Sequence, residues 1–318
     1  MYNQNMEISV IIPVKNGEQY LAKCLDSVFD QTFKGDYEVI LGIDPSDDKT
    51  YEIANSYKEK HPNLIVEQRR GLGVQINRMD SIKIAKGKYL CFLDGDDYYT
   101  KDFLKTMYEE ASKGYDVVNC AFKFDKDGKV KNDFFGKNKE LNSTQACKAL
   151  LMDTYMRSFL WNKIFKRELF QLENLPSFKS KKAMFEDTML VYYIYMHINN
   201  AKSINKHLYV YRDNSSSVTK SEVKERFEYH LNVFSFIRYL ADKSENKQYV
   251  HDFRHTLYRD KMSLIYDGHV SKNALGNGGL KELKKHKQIL KDLKSKKKMD
   301  IAKYPSIEKF IKESFEKI

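Results

Sequence analysis

Three aspartates within four positions, Asp94, Asp96 and Asp97, close the apolar run Tyr89-Leu90-Cys91-Phe92-Leu93. A buried strand that ends this way delivers carboxylates to its carboxyl edge, where open α/β sheets place their ligands. Carboxylates so crowded repel one another, and a hard divalent cation is their usual neutraliser. Mg²⁺ and Mn²⁺ take few carboxylates and complete their shells with water and phosphate oxygens, which makes a nucleoside diphosphate the natural third party. The competing reading is an acidic turn capping a helix that starts near Lys101.

The elements that must position this loop follow from periodicity. Ile8 to Pro13 reads as a strand, followed by the turn Lys15-Asn16-Gly17. Leu21, Cys24, Leu25, Val28 and Phe29 recur at helical spacing, so the next helix packs one face on a sheet. The unit repeats: strand Tyr37 to Ile43, helix Thr50 to Lys60 with Asp47 as N-cap, strand Leu64 to Glu67, helix Val74 to Ala85 with Gly87 as its C-terminal cap, and strand Lys88 to Leu93. Such alternation gives a mostly parallel, Rossmann-like sheet with helices on both faces and every strand's carboxyl end on one crevice. Pro13, Val14 and Asn16 end the first strand, Asp44 ends the second, and Arg69, Arg70 and Arg78 follow the third. An aspartate there accepts hydrogen bonds from a base or ribose, and an arginine holds phosphate bidentately. For Asp44 a plain turn role competes evenly.

With 318 residues, 42% of them apolar and 13% aromatic, the chain can bury a sizeable core. The net charge is +11, and residues 271–318 carry fourteen lysines against six acidic residues, so most of the excess lies in that tail. Cys24, Cys91, Cys120 and Cys147 form no CxxC pair and read as buried thiols in a reducing compartment. No signal peptide is visible, and no apolar run approaches the roughly 20 residues of a membrane span. The expected location is the cytoplasm, with membrane association at the inner face left open by the tail.

Past Gly114 the parallel pattern stops. Val117 to Phe124 and Lys129 to Phe134 flank Asp127-Gly128, a hairpin signal. Asn142-Ser143 can cap a helix from Thr144 to Met152, and another helix is read at Met189 to Ile198. From Ser221 onward the chain reads helical, with Leu280, Leu283, Ile289, Leu290 and Leu293 striped among lysines. A basic amphipathic helix can lie on anionic lipid, and more often packs on its own domain or an identical subunit.

The residues resemble family 2 inverting glycosyltransferases of the bacterial cell-surface polysaccharide type, which have the GT-A fold. The matching stretches are Val10-Ile11-Ile12-Pro13-Val14-Lys15-Asn16, Glu38-Val39-Ile40 running into Asp44-Pro45-Ser46-Asp47-Asp48-Lys49-Thr50, and Ala85-Lys86-Gly87-Lys88-Tyr89 leading into Leu93-Asp94-Gly95-Asp96-Asp97-Tyr98. The resemblance implies that Asp44 contacts the nucleobase of a nucleotide sugar, usually uracil. It makes Asp94 and Asp96 the DxD pair, with Asp94 near the ribose and Asp96 on Mn²⁺ or Mg²⁺. Arg78 falls on a family arginine that contacts the nucleotide, although Met79 and Ser81 replace the Asn and Gly usual beside it. Farther on, Trp161-Asn162-Lys163 through Phe185-Glu186-Asp187-Thr188 resembles the second half of polysaccharide-building members, where the Asp of Glu-Asp is the general base. That carries over to Asp187, with Glu186 beside it. Tyr209-Val210-Tyr211-Arg212 and the loop holding Ser217 and Thr219 resemble a segment that returns over the donor, where Arg212 would neutralise the diphosphate. Taken by its position alone, Asp187 would more often be a helix cap; His207 reads as structural.

These readings converge on a metal-dependent inverting glycosyltransferase acting on a nucleotide-sugar donor and a glycan or lipid-linked glycan acceptor. A GT-A domain would span 1–220 and a helical, basic extension 221–318. Two other functions remain: transfer to a nucleic acid base, and a nucleotidyltransferase or non-catalytic nucleotide-binding module. The lysine tail lacks interleaved aromatics and Arg, which argues against nucleic acid as a partner.

Overall fold

The computed structural model describes residues 6–133, 136–151, 154–171, 175–176 and 186–214, together with a few positions between 232 and 240 and residue 309. Apolar runs in the first third are buried on both sides, as strands of a covered parallel sheet must be. They form β1 (Ile8–Val14), β2 (Tyr37–Ile43), β3 (Leu64–Gln68) and β4 (Tyr89–Phe92), linked by α1 (Leu21–Phe29), α2 (Thr50–Lys58) and α3 (Val74–Ile84). After the two-residue β5 (Tyr98–Tyr99) come α4 (Phe103–Ala111), β6 (Val117–Lys126), β7 (Lys129–Asn132), β8 (Lys139–Leu141), α5 (Ser143–Leu151), β9 (Lys163–Lys166), α6 (Glu186–His197) and β10 (Ala201–Arg212).

One ten-stranded sheet runs β3-β2-β1-β4-β9-β6-β10-β5, with β7 added beside β6 and β8 beside β10. Its first four strands are parallel. The second half is mixed: β9 lies antiparallel between β4 and β6, β10 runs parallel to β6, and β5 is antiparallel to β10. Alternate side chains feed two cores. Val10, Ile12 and Cys91 pack with α1, α2 and α4 on one face; Ile11, Leu90 and Phe92 pack with α3, α5 and α6 on the other. Val233, Phe236, Ile237 and Leu240 join the second core and are helical. Apart from these, residues 232, 235 and 239, and residue 309, the 221–318 segment, including Leu280 to Leu293 with their lysines, lies outside the described residues. No helix among the described residues is long and apolar enough to cross a membrane.

Some local expectations are corrected. The N-cap of α2 is Lys49 rather than Asp47, and the preceding Asp48 accepts the Thr50 N–H at 3.0 Å and the Glu18 N–H at 2.9 Å. Gly87 is not the cap of α3; Ala85 is. Gly87 is required because a Cβ there would lie 2.4 Å from the Ser9 nitrogen on β1. α6 begins at Glu186, a turn earlier than the apolar pattern suggested. The hairpin is as expected, with Asp127 at φ 51° and Gly128 at φ 80°, the left-handed pair of a two-residue turn. Asn142 caps α5 reciprocally: its Oδ1 accepts the Gln145 N–H at 2.9 Å while its own N–H reaches the Gln145 Oε1 at 3.1 Å. All four cysteines are free and buried.

Candidate active site

The loop after β4 is held from beneath by close packing. A Cβ on Gly95 would meet Val14 at 2.8 Å and the Pro13 carbonyl oxygen at 3.2 Å, so the ends of β1 and β4 touch through backbone. Asn16, at φ 49°, locks the β1 loop to the β2 loop: its N–H donates to Ser46 Oγ at 3.0 Å and its Oδ1 accepts the Asp47 N–H at 3.1 Å. Asp44 is buried at the end of β2, where its Oδ1 accepts the Gly71 N–H at 3.0 Å. The strand-end residues Pro13, Val14, Asn16, Asp44 and Asp94 thus share one edge.

The three aspartates have separate surroundings. Asp94 takes Arg78 Nη2 at 2.6 Å. Asp96 accepts the Asn214 side-chain amide at 2.5 Å, and burial first and the Asp94 charge second raise its carboxyl above the usual range. Asp97, 1% exposed, accepts the Tyr209 hydroxyl at 2.6 Å and the Arg212 N–H at 2.7 Å. Burial and its two acidic neighbours push it well up. Asp97 is therefore an anchor that ties the acidic loop to β10. The same Tyr209 hydroxyl accepts the Asp94 N–H at 3.4 Å.

Of the arginines after β3, only Arg78 reaches this loop. Arg69 bonds Ser81 Oγ at 2.9 Å and Arg70 pairs with Asp80 at 3.7 Å. Ser81 thus has a partner role in place of the glycine usual there. Arg78 also acts on Asp187: burial raises the Asp187 carboxyl to about 6, Arg78 and Lys163 hold it down, and Asp94 adds to the rise. One guanidinium thereby pairs with a strand-end carboxylate and lowers, by its charge, a carboxylate at the start of α6. The Thr188 N–H donates to Asp187 Oδ1 at 3.0 Å, and Thr188 Oγ1 donates to Ser158 Oγ at 2.9 Å, which fixes that helix start.

Arg212 lies between the Tyr20 and Tyr98 rings, its guanidinium carbon 4.8 and 5.2 Å from their centroids. Its Nη2 is buried without a hydrogen-bond partner among the described residues. Trp161 is buried and stacks on Tyr209 at 4.3 Å. Ser217, Thr219 and the Glu186 side chain lie outside the described residues. His207 faces Asp133 at 3.2 Å, a structural contact as expected.

Three contributors were not singled out as site residues from the sequence. Asn214 holds Asp96, Tyr209 joins Asp94 to Asp97, and Lys163, wholly buried, lowers the Asp187 carboxyl by its charge. Burial pulls the Lys163 ammonium down to about 7, and its Nζ donates to Asn162 Oδ1 at 2.8 Å and to the Phe159 carbonyl. Tyr209 opens the noted Tyr-x-Tyr-Arg segment and Asn214 follows two residues after it, so that signal was present. Among the described residues, no group of three or more His, Cys, Asp and Glu side chains could hold a metal by itself. The donor set fits a cation held by one or two carboxylates with phosphate and water completing its shell.

Residues 9–173 match the model of the Glycosyl transferase family 2, more than half of the chain. The chain belongs to that family. It is 29% identical over 231 residues to the uncharacterized glycosyltransferase EpsJ of Bacillus subtilis, covering 70% of this chain and 66% of that one. It is 27% identical over 251 residues to the GalNAc(5)-diNAcBac-PP-undecaprenol beta-1,3-glucosyltransferase of Campylobacter jejuni, covering 76% and 78%. The fold matches S. aureus TarS 1–349, crystallised with UDP-GlcNAc, at a TM-score of 0.67 and 23% identity over 81% of this chain and 73% of that one. The GT-A architecture expected from the sequence is the one observed.

Proposed function

We propose that the chain is an inverting glycosyltransferase that moves a sugar from a uridine diphosphate donor to a hydroxyl of a cell-surface polysaccharide or its lipid-linked precursor. The observation that carries this is the 2.6 Å ion pair of Arg78 with Asp94, two groups whose charges also act on the Asp187 carboxyl. It couples a candidate base from the second half of the chain to a strand-end carboxylate of the first. The UDP-GlcNAc bound by TarS and the lipid-linked acceptor in the Campylobacter enzyme's name support the donor and acceptor classes.

A divalent Mn²⁺ or Mg²⁺ at Asp96 would neutralise the diphosphate as it departs. Asp44 accepts hydrogen bonds from the base, Asp94 from the ribose, and Arg78 and Arg212 offset phosphate charge. Asp187 removes the proton from the acceptor hydroxyl as its oxygen bonds the anomeric carbon and the bond to the diphosphate oxygen breaks on the opposite face. A carboxyl raised by burial suits that task, since a base works best with a pKa near the operating pH. The buried Nη2 of Arg212, without a hydrogen-bond partner among the described residues, fits a group that awaits an anion.

The test is a panel of nucleotide sugars with Mn²⁺, Mg²⁺ or chelator, scored for hydrolysis and for thermal stabilisation. One uridine diphosphate sugar should dominate, only with metal. Equal response in chelator would overturn the metal role, and preference for another nucleotide would overturn the donor.

A further inference from the structure

A surface of aromatic rings beside the site has no part in the donor chemistry above. Side chains two apart on a strand share a face. Phe122 and Phe124 on β6 lie opposite Tyr209 and Tyr211 on β10, and Phe159 and Trp161 enter alongside. Trp161 is the hub: it stacks on Phe159 at 4.5 Å and on Tyr211 at 6.0 Å, and meets Phe122 edge-on at 4.9 Å. Phe124 meets Tyr211 edge-on at 6.0 Å.

A core cluster would be buried throughout, but this one opens to solvent. Phe124 is 41% exposed, and Phe159 and Tyr211 are half-buried. One end of the surface reaches the acidic loop, because the Tyr209 hydroxyl bonds Asp97. The other reaches the candidate base: Ser158, next to Phe159, accepts from Thr188, next to Asp187. The Arg157 guanidinium lies 5.4 Å from the Phe159 ring centre, a charged group at the rim. The patch is also confined. Val130, the nearest exposed apolar residue on the hairpin, pairs with Asp125 and so lies on the opposite face from Phe124.

We propose that this surface is the acceptor subsite, on which a pyranose ring of the acceptor glycan lies against Phe159, Tyr211 and Phe124 with its hydroxyls toward Arg157 and Asp187. A pyranose has an apolar C–H face and a polar rim, so a small aromatic floor with a cationic edge matches it. A protein or lipid partner would need a larger continuous apolar area. The inference rests on the glycosyltransferase reading, since only that gives an acceptor hydroxyl reason to face Asp187.

Trp161 is the only tryptophan in the chain, so its emission reports binding on this surface directly. Cellotetraose, laminaritetraose and chitotetraose should be titrated without donor. At least one should give a saturable change, weakened about tenfold by Phe124→Ser and by Phe159→Leu and restored by Phe159→Tyr, with nucleotide affinity unchanged. Phe124 is exposed at the rim, so its variant carries the test even if Phe159→Leu fails to fold. A flat response of the folded wild type to all three sugars, or undiminished affinity in Phe124→Ser, overturns the subsite. In the transfer reaction Phe124→Ser should raise the acceptor KM with donor hydrolysis unchanged. A saccharide response from a protein that neither hydrolyses nor transfers any nucleotide sugar would sink the glycosyltransferase reading and leave the saccharide site standing. Transfer indifferent to Phe124 and Phe159 would do the reverse.

Discussion

The two halves of the sheet present carboxylates by different means. In β3-β2-β1-β4 the topology is sufficient: parallel strands all end on one edge, so Asp44 and Asp94 arrive there whatever else happens. In β9-β6-β10-β5 strand direction is mixed, and the functional groups are placed by individual contacts instead. Asn214 holds Asp96, Tyr209 and the Arg212 N–H hold Asp97, and the Arg78 charge acts on Asp187. The positions of Asp44 and Asp94 are thus a property of the fold, while Asp96, Asp97 and Asp187 depend on particular side chains. Loss of a contact in the second half should therefore change chemistry more than binding.

The largest effect should come from Asp187→Asn. Turnover should fall by about 10² to 10⁴-fold with donor affinity unchanged. Because burial raises the Asp187 carboxyl, its folded state favours the protonated form, and the fold is penalised as pH rises from the ordinary carboxylate range through about 6. The Asn variant should then melt higher than the wild type at pH 7.5. A simple cap would instead lose about 1 kcal/mol of stability and keep its activity. For the same reason wild-type kcat should be flat above about pH 7 and fall below about 6, a profile the rate measured across pH 5 to 8 would reveal.

Next in size is Asp96→Ala. Nucleoside diphosphate binding, followed by calorimetry with and without Mn²⁺, should lose its metal dependence while acceptor binding persists. Equal metal dependence in the variant would remove Asp96 from the cation site.

Gly95→Ala probes the seat of the acidic loop on β1, within the parallel half. A methyl group 2.8 Å from Val14 must move the acidic loop, and overpacking of this kind costs about 1–3 kcal/mol. Both Tm and nucleotide affinity should fall together. The smallest effect should be Asn142→Ala, far from the site: loss of the reciprocal cap on α5 should cost about 1 kcal/mol by denaturant unfolding with kcat untouched.

The same contrast explains what was legible in the sequence. β1 to β4 appear as apolar runs between turn residues, and their ends fall within a residue or two of the expected positions, because strands buried on both faces leave a continuous signal. β9 was missed as a strand since Lys163 at its start is a charged residue buried without exposure, which no periodic pattern marks as core. β5 and β8 are too short for periodicity to register. Asp94, Asp96 and Asp44 could be argued from strand ends alone. Asp187 could not: its local pattern reads as a helix cap, and only the family resemblance and the influence of the Arg78 charge, more than a hundred residues away in the chain, set it apart.

The Asp127-Gly128 hairpin has a bearing on how the protein behaves in company. β7 continues the sheet beyond β6, and all four of its residues are exposed. Such a strand offers free backbone donors and acceptors to any other extended chain, the first step of edge-to-edge aggregation. Lys129 and Lys131 alternate with Val130 and Asn132 along it, so a second copy pairing there would bring like charges together. The lysines thus act as a guard on a strand too short and too wet to be needed for the core, and replacing them with Thr or Val would leave the fold intact while making the protein prone to associate.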